Sequence, residues 1–243
     1  MLIKEFTVSQ KNEVSVDSAV VFHDDLNPKL WDNSGRMHPA IRKGLLEVIK
    51  DFIDFIGVKI SLVDITVSGS NAAYSYTKYS DIDLHIVAKV PENEPEFPEL
   101  FDAKKNQYNT QYDIKVKGID VEVYVQDVAQ EHHSLGIYSV LKDKWVSEPK
   151  KEQVDINSQD VQRKYKQYSG EIKTVLKSDS LVEVNQQWDD LKRMRKAGLE
   201  SGGEFSVENL VFKMLRNQGL MEKLRDHMFA LKSKDLSIES KAQ

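Results

Sequence analysis

The chain has 243 residues, 40% of them hydrophobic and 30% charged, with a formal net charge of −5. That length provides one large domain or two small ones with enough chain to bury a core, and the composition is globular rather than disordered. The acidic balance excludes a chain that is basic throughout, so contact with a polyanion needs a local patch, and the lack of cysteine removes disulfides, thiolate-bound zinc, iron–sulfur clusters and a thiol nucleophile.

The N-terminal "MLIKEFTVSQKNEV" has no long apolar centre of the secretory type. No apolar run reaches the ~18 residues of a membrane span. The expectation is a cytoplasmic protein with no membrane partner, which the missing cysteines suit. Residues 1–37 combine a strand-like "SAVVF" with a turn-like "WDNSGR" and read as an N-terminal arm packed on the core. Pro39 suits the first turn of a helix. Ile41, Leu45, Ile49, Phe52, Ile53 and Ile56 follow at helical spacing, and Gly57 closes the run. "VKISLVDITV" is β-branched and nearly all apolar, which predicts a central strand covered on both faces, punctuated by Gly69.

Residues 70–78 are expected to form a short helix. "DIDLHIV" alternates strictly, so Asp81, Asp83 and His85 share one face of a strand and Ile82, Leu84 and Ile86 the other. The proline- and glutamate-rich "PENEPEFPE" reads as a surface loop. "QYDIKV" and "IDVEVYV" flank Lys117-Gly118 as a hairpin, with Asp120, Glu122 and Tyr124 on one face. "GIYSVLKDKWVSEP" reads as a further short β excursion. Near residue 155 the character changes. "SQDVQRKYKQYSGEIKTVLKS" is charged and helical, a second helix covers 180–198, and a third carries the stripe Val207, Leu210, Val211, Met214 and Leu215 with Ser206 as N-cap. A fourth runs over about 219–232, and the last ten residues are expected to fray. The fold class is α+β: an arm over 1–37, a mixed β-sheet domain with flanking helices over 38–150, and a C-terminal helical domain over 151–243.

Three acids on neighbouring strands repel one another unless something compensates them. Carboxylate oxygens are the ligands Mg²⁺ prefers, completed by substrate phosphates and water. Asp81 and Asp83 can reach shared cations, and Glu122, or Asp120 as the alternative, can supply a third carboxylate from the next strand. Paired cations stabilise both the attacking and the leaving oxygen of an in-line displacement. Gly69 lets the backbone approach a phosphate, a helix starting after it would aim N–H groups at that anion, and Ser70 adds a hydroxyl. An isolated Asp-x-Asp is most simply a solvated strand face; the Gly-Ser turn upstream and the acid downstream favour nucleotidyl transfer.

The stretch "GSNAAYSYTKYSDIDLHIV", with the later acid in "VEV", resembles the DNA polymerase β-type nucleotidyltransferase superfamily over roughly residues 38–127. The whole chain also resembles predicted nucleotidyltransferases of tailed phages, with "GEFSVENLVFKMLRNQG" in its helical part; a phage-encoded protein would work in the host cytoplasm. The resemblance implies a nucleotidyltransferase-like sheet domain, Mg²⁺ (or Mn²⁺) on Asp81, Asp83 and a third acid, and triphosphate contacts from Gly69 and Ser70. It implies transfer of a nucleoside monophosphate from a nucleoside triphosphate with release of pyrophosphate. It identifies neither the acceptor nor the base; RNA or protein is favoured over a small molecule because the helical domain offers a large surface, and a nucleotide second messenger stays open. A non-catalytic nucleotide- or protein-binding module is the reading from another class, and a glycosyltransferase the third. Oligomeric state is not legible.

Other residues divide between chemistry and packing. His85 continues the aspartate face and reads as a hydrogen-bonded edge histidine. His132-His133 reads as a loop pair. Lys192, Arg193, Arg195 and Lys196, with Lys213 and Arg216 on the next helix, could meet a nucleic-acid acceptor or the triphosphate, against the simpler reading of a charged helix face. Tyr74, Tyr76 and Tyr79 offer a base-stacking ring or packing. Trp145 and Trp188 are most simply core or interface residues.

Overall fold

Helix α1 spans Pro39–Ile56 and buries Ile41, Leu45, Ile49, Phe52 and Ile56, one stripe at helical spacing. Pro39 at its start lacks the N–H that a helix terminus leaves unused anyway, and Gly57 ends it in the left-handed conformation. The computed structural model describes residues 14–89, 97–130, 134–151, 154, 156 and 158–237. It divides into two units, Val21–Gln153 and Met1–Val20 with Val154–Gln243.

In the first unit, strands β1 (Ser61–Ser68), β2 (Ile82–Lys89), β3 (Lys115–Val116), β4 (Ile119–Asp127), β5 (Ile137–Ser139) and β6 (Lys144–Ser147) form one mixed sheet. Its order is β3-β4-β2-β1-β5-β6. β2 and β4 run parallel; the other pairs are antiparallel. Parallel neighbours need a crossover, and α2 (Phe97–Gln111) lies in it. The tyrosine of α2 at 108 packs edge-on to Phe52 of α1 and donates its hydroxyl to Asp51 at 2.8 Å. Asn109 accepts from the Val123 N–H and donates to the Val123 carbonyl, each at 3.0 Å. That covers backbone of β4 which the two-residue β3 cannot reach.

The apolar face of the sheet, Ile65, Val67, Ile82, Leu84, Ile86, Val121 and Val123, shares one core with α1, Phe101 and Tyr108. The core has an aromatic corner of Trp31, Tyr138 and Trp145, in which Trp31 stacks on Trp145 at 4.6 Å. The opposite face of β1, β2 and β4 carries the polar residues.

The second unit is helical: α3 (Ser158–Val175), α4 (Leu181–Gly202), α5 (Val207–Asn217) and α6 (Leu220–Leu236). Its core collects Val161, Ile172, Val184, Leu191, Leu210, Met214 and Leu224. Ser206 caps α5, accepting from the Asn209 N–H.

Several expectations need correction. Of the segment expected as one arm, Val16, Ala19 and Val20 join the helical core and Leu30, Trp31 and Met37 the sheet core. "SAVVF" is no strand; Val16–Ser18 is a 3₁₀ turn. The first three residues of β1 are exposed, so only Asp64–Ser68 is covered on both faces. Residues 70–78 contain a single 3₁₀ turn, Ser70–Ala72. Helix α2 begins inside the expected loop; with only Phe101 and Tyr108 buried, it shows little periodicity. The first hairpin strand shrinks to Lys115–Val116. The C-terminus stays helical to Leu236, while positions 91–96, 132–133 and 238–243 lie outside the described residues.

Candidate active site

The parallel register of β2 and β4 sets Asp83 opposite Glu122, and the antiparallel register of β1 and β2 sets Ser68 opposite Asp83. Residues directly opposite point to the same face, so Ser68, Asp83 and Glu122 form one row. Thr66, His85 and Tyr124 form the next. Asp81 stands immediately before β2, two residues from Asp83 and half-buried. The Tyr124 hydroxyl donates to Glu122 Oε2 at 2.5 Å. Burial, then the charges of Glu122, Asp83 and Asp81, push its phenol far above the ordinary range. One hydroxyl thus feels all three carboxylates.

Gly69 sits at φ 74° and ψ −166°, a region essentially restricted to glycine. A Cβ there would lie 1.8 Å from Asp83 Oδ2. The sequence suggested a glycine that admits phosphate; the structure adds that its bare Cα makes room for the carboxylate of the neighbouring strand. The Gly69 N–H points to Ser134 Oγ at 3.3 Å, and Ser70 donates to Ser80 Oγ at 2.7 Å, which also accepts from the Thr77 N–H. The one-turn 3₁₀ segment is too short to offer the helix terminus expected after Gly69.

What shapes this turn is Asn71, a residue the sequence reading passed over. It is fully buried. Its amide nitrogen donates to the carbonyls of Ser80 and Asp81 at 3.1 and 2.8 Å, and its Oδ1 accepts from Asn27 at 2.8 Å. Its own carbonyl accepts from Trp31 Nε1 at 2.7 Å. One side chain therefore ties the Gly-Ser turn to the backbone of Asp81. Nothing local announces this, because its partners Asn27 and Trp31 are distant in sequence.

The two candidates for the third acid differ. Asp120 is exposed and ion-paired with Lys115, which Asp113 also holds at 3.0 Å. Glu122 is half-buried beside Asp83. His85 is not at a sheet edge: β2 lies inside the sheet. Its ring stacks on Tyr124 at 5.0 Å and its Nε2 is 3.1 Å from Ser68 Oγ. The carboxylate set is the donor chemistry a hard cation takes. As the side chains stand, no group of three or more His, Asp or Glu among the described residues converges closely enough to hold a metal ion.

The remaining candidates have partners of their own. On α4, Arg193 pairs with Asp190, Lys196 with Glu200 at 3.9 Å, and Lys192 rests over Trp188 at 5.4 Å. Lys213 of α5 pairs with Glu204 at 3.0 Å. Arg195 stacks on Phe212 at 4.7 Å, and Arg216 lies in the last turn of α5. Tyr76 is stacked on His23 at 3.8 Å, Tyr74 lies under Lys151, and Tyr79 under Lys78. Trp145 and Trp188 each pack partly buried against their own core.

The model of the nucleotidyltransferase domain family matches residues 46–186, more than half of the chain and all of the carboxylate face. The chain belongs to this family. The nucleotidyltransferase is an enzyme, and its mixed sheet with flanking helices is the α+β fold expected. No curated protein matches the sequence significantly. Among solved structures, the STING-associated CdnE c-di-GMP synthase from Capnocytophaga granulosa is similar at 12% identity, over 82% of this chain and 84% of that one, with a TM-score of 0.25. The CdnE cyclic dinucleotide synthase of Elizabethkingia meningoseptica, solved with GTP and Apcpp, is similar at 14% identity over 78% and 76%, with a TM-score of 0.24. The assignment rests on the family match, not on these loose overlays. No helix among the described residues is long and apolar enough to cross a membrane.

Proposed function

We propose that this nucleotidyltransferase moves a nucleoside monophosphate from a nucleoside triphosphate to a hydroxyl acceptor. The acceptor oxygen bonds to the α-phosphorus, the α–β phosphoanhydride bond breaks, and pyrophosphate leaves. Asp81, Asp83 and Glu122 are the residues that would hold a divalent cation, Mg²⁺ or Mn²⁺. Such a cation neutralises phosphate oxygens and acidifies the attacking hydroxyl. The Gly69 N–H and the Ser70 hydroxyl exchange Ser134 and Ser80 for phosphate oxygens. The observation that carries this reading is the direct opposition of Asp83 and Glu122 in parallel register, beside a turn only glycine can make.

Of the two macromolecular acceptors, a protein hydroxyl fits better than RNA. Of the six cations of α4 and α5 that would meet a polyanion, Arg193, Lys196 and Lys213 are paired with Asp190, Glu200 and Glu204, which reduces the charge available to release counterions. The test is incubation of the purified chain with each nucleoside triphosphate, labelled at the α- or γ-phosphate, with Mg²⁺ or Mn²⁺ and a cell extract. The proposal expects α-label in protein and γ-label in pyrophosphate. Label in RNA or in a small product corrects the acceptor. Nucleotide binding with no transfer across all acceptors favours a non-catalytic module instead.

A further inference from the structure

The acceptor that the Gly69 N–H gives up when a phosphate arrives is itself a hydroxyl. Ser134 Oγ lies 3.3 Å from the Gly69 nitrogen and donates to the Gly136 carbonyl at 3.0 Å. Ser134 is half-buried and stands just ahead of β5, 65 positions from Gly69 along the chain. A separation of 3.3 Å is at the long limit of an N–H···O bond, whereas hydrogen bonds to a charged oxygen are shorter and about twice as strong. The exchange therefore favours phosphate, and it leaves a hydroxyl beside that phosphate. We propose that Ser134 is a further nucleotide-binding residue, whose hydroxyl turns from the Gly136 carbonyl to the phosphate group held at Gly69 and joins Ser70 in binding it.

The backbone around Ser134 is held by other contacts. A Cβ at Gly136 would lie 2.1 Å from the Ala72 carbonyl oxygen and 3.1 Å from Pro149, so the segment runs bare against the Gly-Ser turn. The Leu135 carbonyl accepts from the Lys150 N–H at 3.1 Å. Strand β5 begins at Ile137 and pairs with β1, Tyr138 opposite Val67 and Ser139 opposite Thr66. None of these contacts uses the Ser134 hydroxyl, so passing it to a ligand leaves the segment anchored beside the turn. A serine hydroxyl has one hydrogen to give and two lone pairs, and its side chain has three staggered positions. The change of partner needs rotation of the side chain, not a shift of the backbone, and a donor that is already in place binds at a smaller ordering cost.

This inference rests on the phosphate turn proposed above, and the experiment separates the two. Equilibrium binding of the α,β-methylene analogue of each nucleoside triphosphate, with Mg²⁺ present, is measured on the full chain for wild type, Ser134→Ala and Ser134→Thr, with melting midpoints recorded alongside. A wild type that binds none of the analogues overturns the nucleotide reading and this inference with it. Where wild type binds, Ser134→Ala is expected to keep the melting midpoint and to weaken binding about 10- to 100-fold, the worth of a hydrogen bond to a charged acceptor. Ser134→Thr, which keeps the hydroxyl, is expected to bind as wild type does. An affinity unchanged or raised in Ser134→Ala makes Ser134 a mere occupant of the Gly69 N–H, and equal losses in Ser134→Ala and Ser134→Thr make its role one of packing. Either result overturns the binding role of Ser134 and leaves the phosphate turn standing.

Discussion

At the scale of single residues, two acids that share one face of β4 differ in their surroundings. Asp120 belongs to an exposed ion pair with Lys115, the kind of interaction worth ~0–1 kcal/mol. Glu122 lies opposite Asp83. Asp120→Asn is therefore expected to keep most of the transfer activity, and Glu122→Gln to lose more than the about 100-fold that a mere supporting change costs; side-by-side rates of labelled-nucleotide transfer check the order. Gly69 makes a second residue-scale prediction. Gly69→Ala places a methyl group where Asp83 Oδ2 now lies and adds backbone strain of about 1–3 kcal/mol. It should abolish transfer while lowering the melting midpoint only modestly, a combination that rates and thermal melting read together. Much of this face was legible in advance. Strict alternation along "DIDLHIV" separates Asp81, Asp83 and His85 from Ile82, Leu84 and Ile86 without any structure. The reason for Gly69 was only half legible, since the carboxylate that occupies its Cβ position comes from another strand.

At the scale of elements, end signals and periodicity explain which segments could be read. Helix α1 has Pro39 at one end, Gly57 at the other and an unbroken stripe between. Helix α5 has Ser206 as its cap and five of its eleven residues buried, Leu210, Val211 and Met214 among them. Helix α2 buries only Phe101 and Tyr108, seven positions apart, too little to set up a stripe. Missing α2 also hid the crossover, and with it the parallel pairing that brings Glu122 to Asp83: register is a property of two strands and the element between them. Asn71 shows the same limit. Its four hydrogen bonds reach Asn27, Trp31, Ser80 and Asp81, and only the last two are near in sequence. Asn71→Ala removes the three that its side chain makes, each worth ~1 kcal/mol net. It should destabilise the chain by about 3 kcal/mol in denaturant titrations and slow transfer at temperatures where the fold is intact, because the entry to β2 at Asp81 loses its tether. Unchanged kinetics in a destabilised Asn71→Ala would leave that tether a purely structural role.

At the scale of the whole molecule, a net charge of −5 and the pairing of Arg193, Lys196 and Lys213 with acids are the basis for proposing a protein rather than an RNA acceptor. RNA binding, where seen at all, is expected to be weak and to vanish as salt rises, which a filter-binding series at increasing salt checks. The carboxylate face on the sheet is the opposite case: Asp83 stands opposite Glu122 with Asp81 two residues away, a concentration of like charge that costs stability unless a cation answers it. The most direct measurement is transfer of α-labelled nucleotide by the wild-type chain and by Asp83→Asn, in Mg²⁺ or Mn²⁺ and again after chelation. The account predicts that label moves to acceptor only with the wild-type chain and only with the cation present, while Asp83→Asn stays folded and inactive. Equal transfer by Asp83→Asn, or transfer that survives chelation, would contradict it.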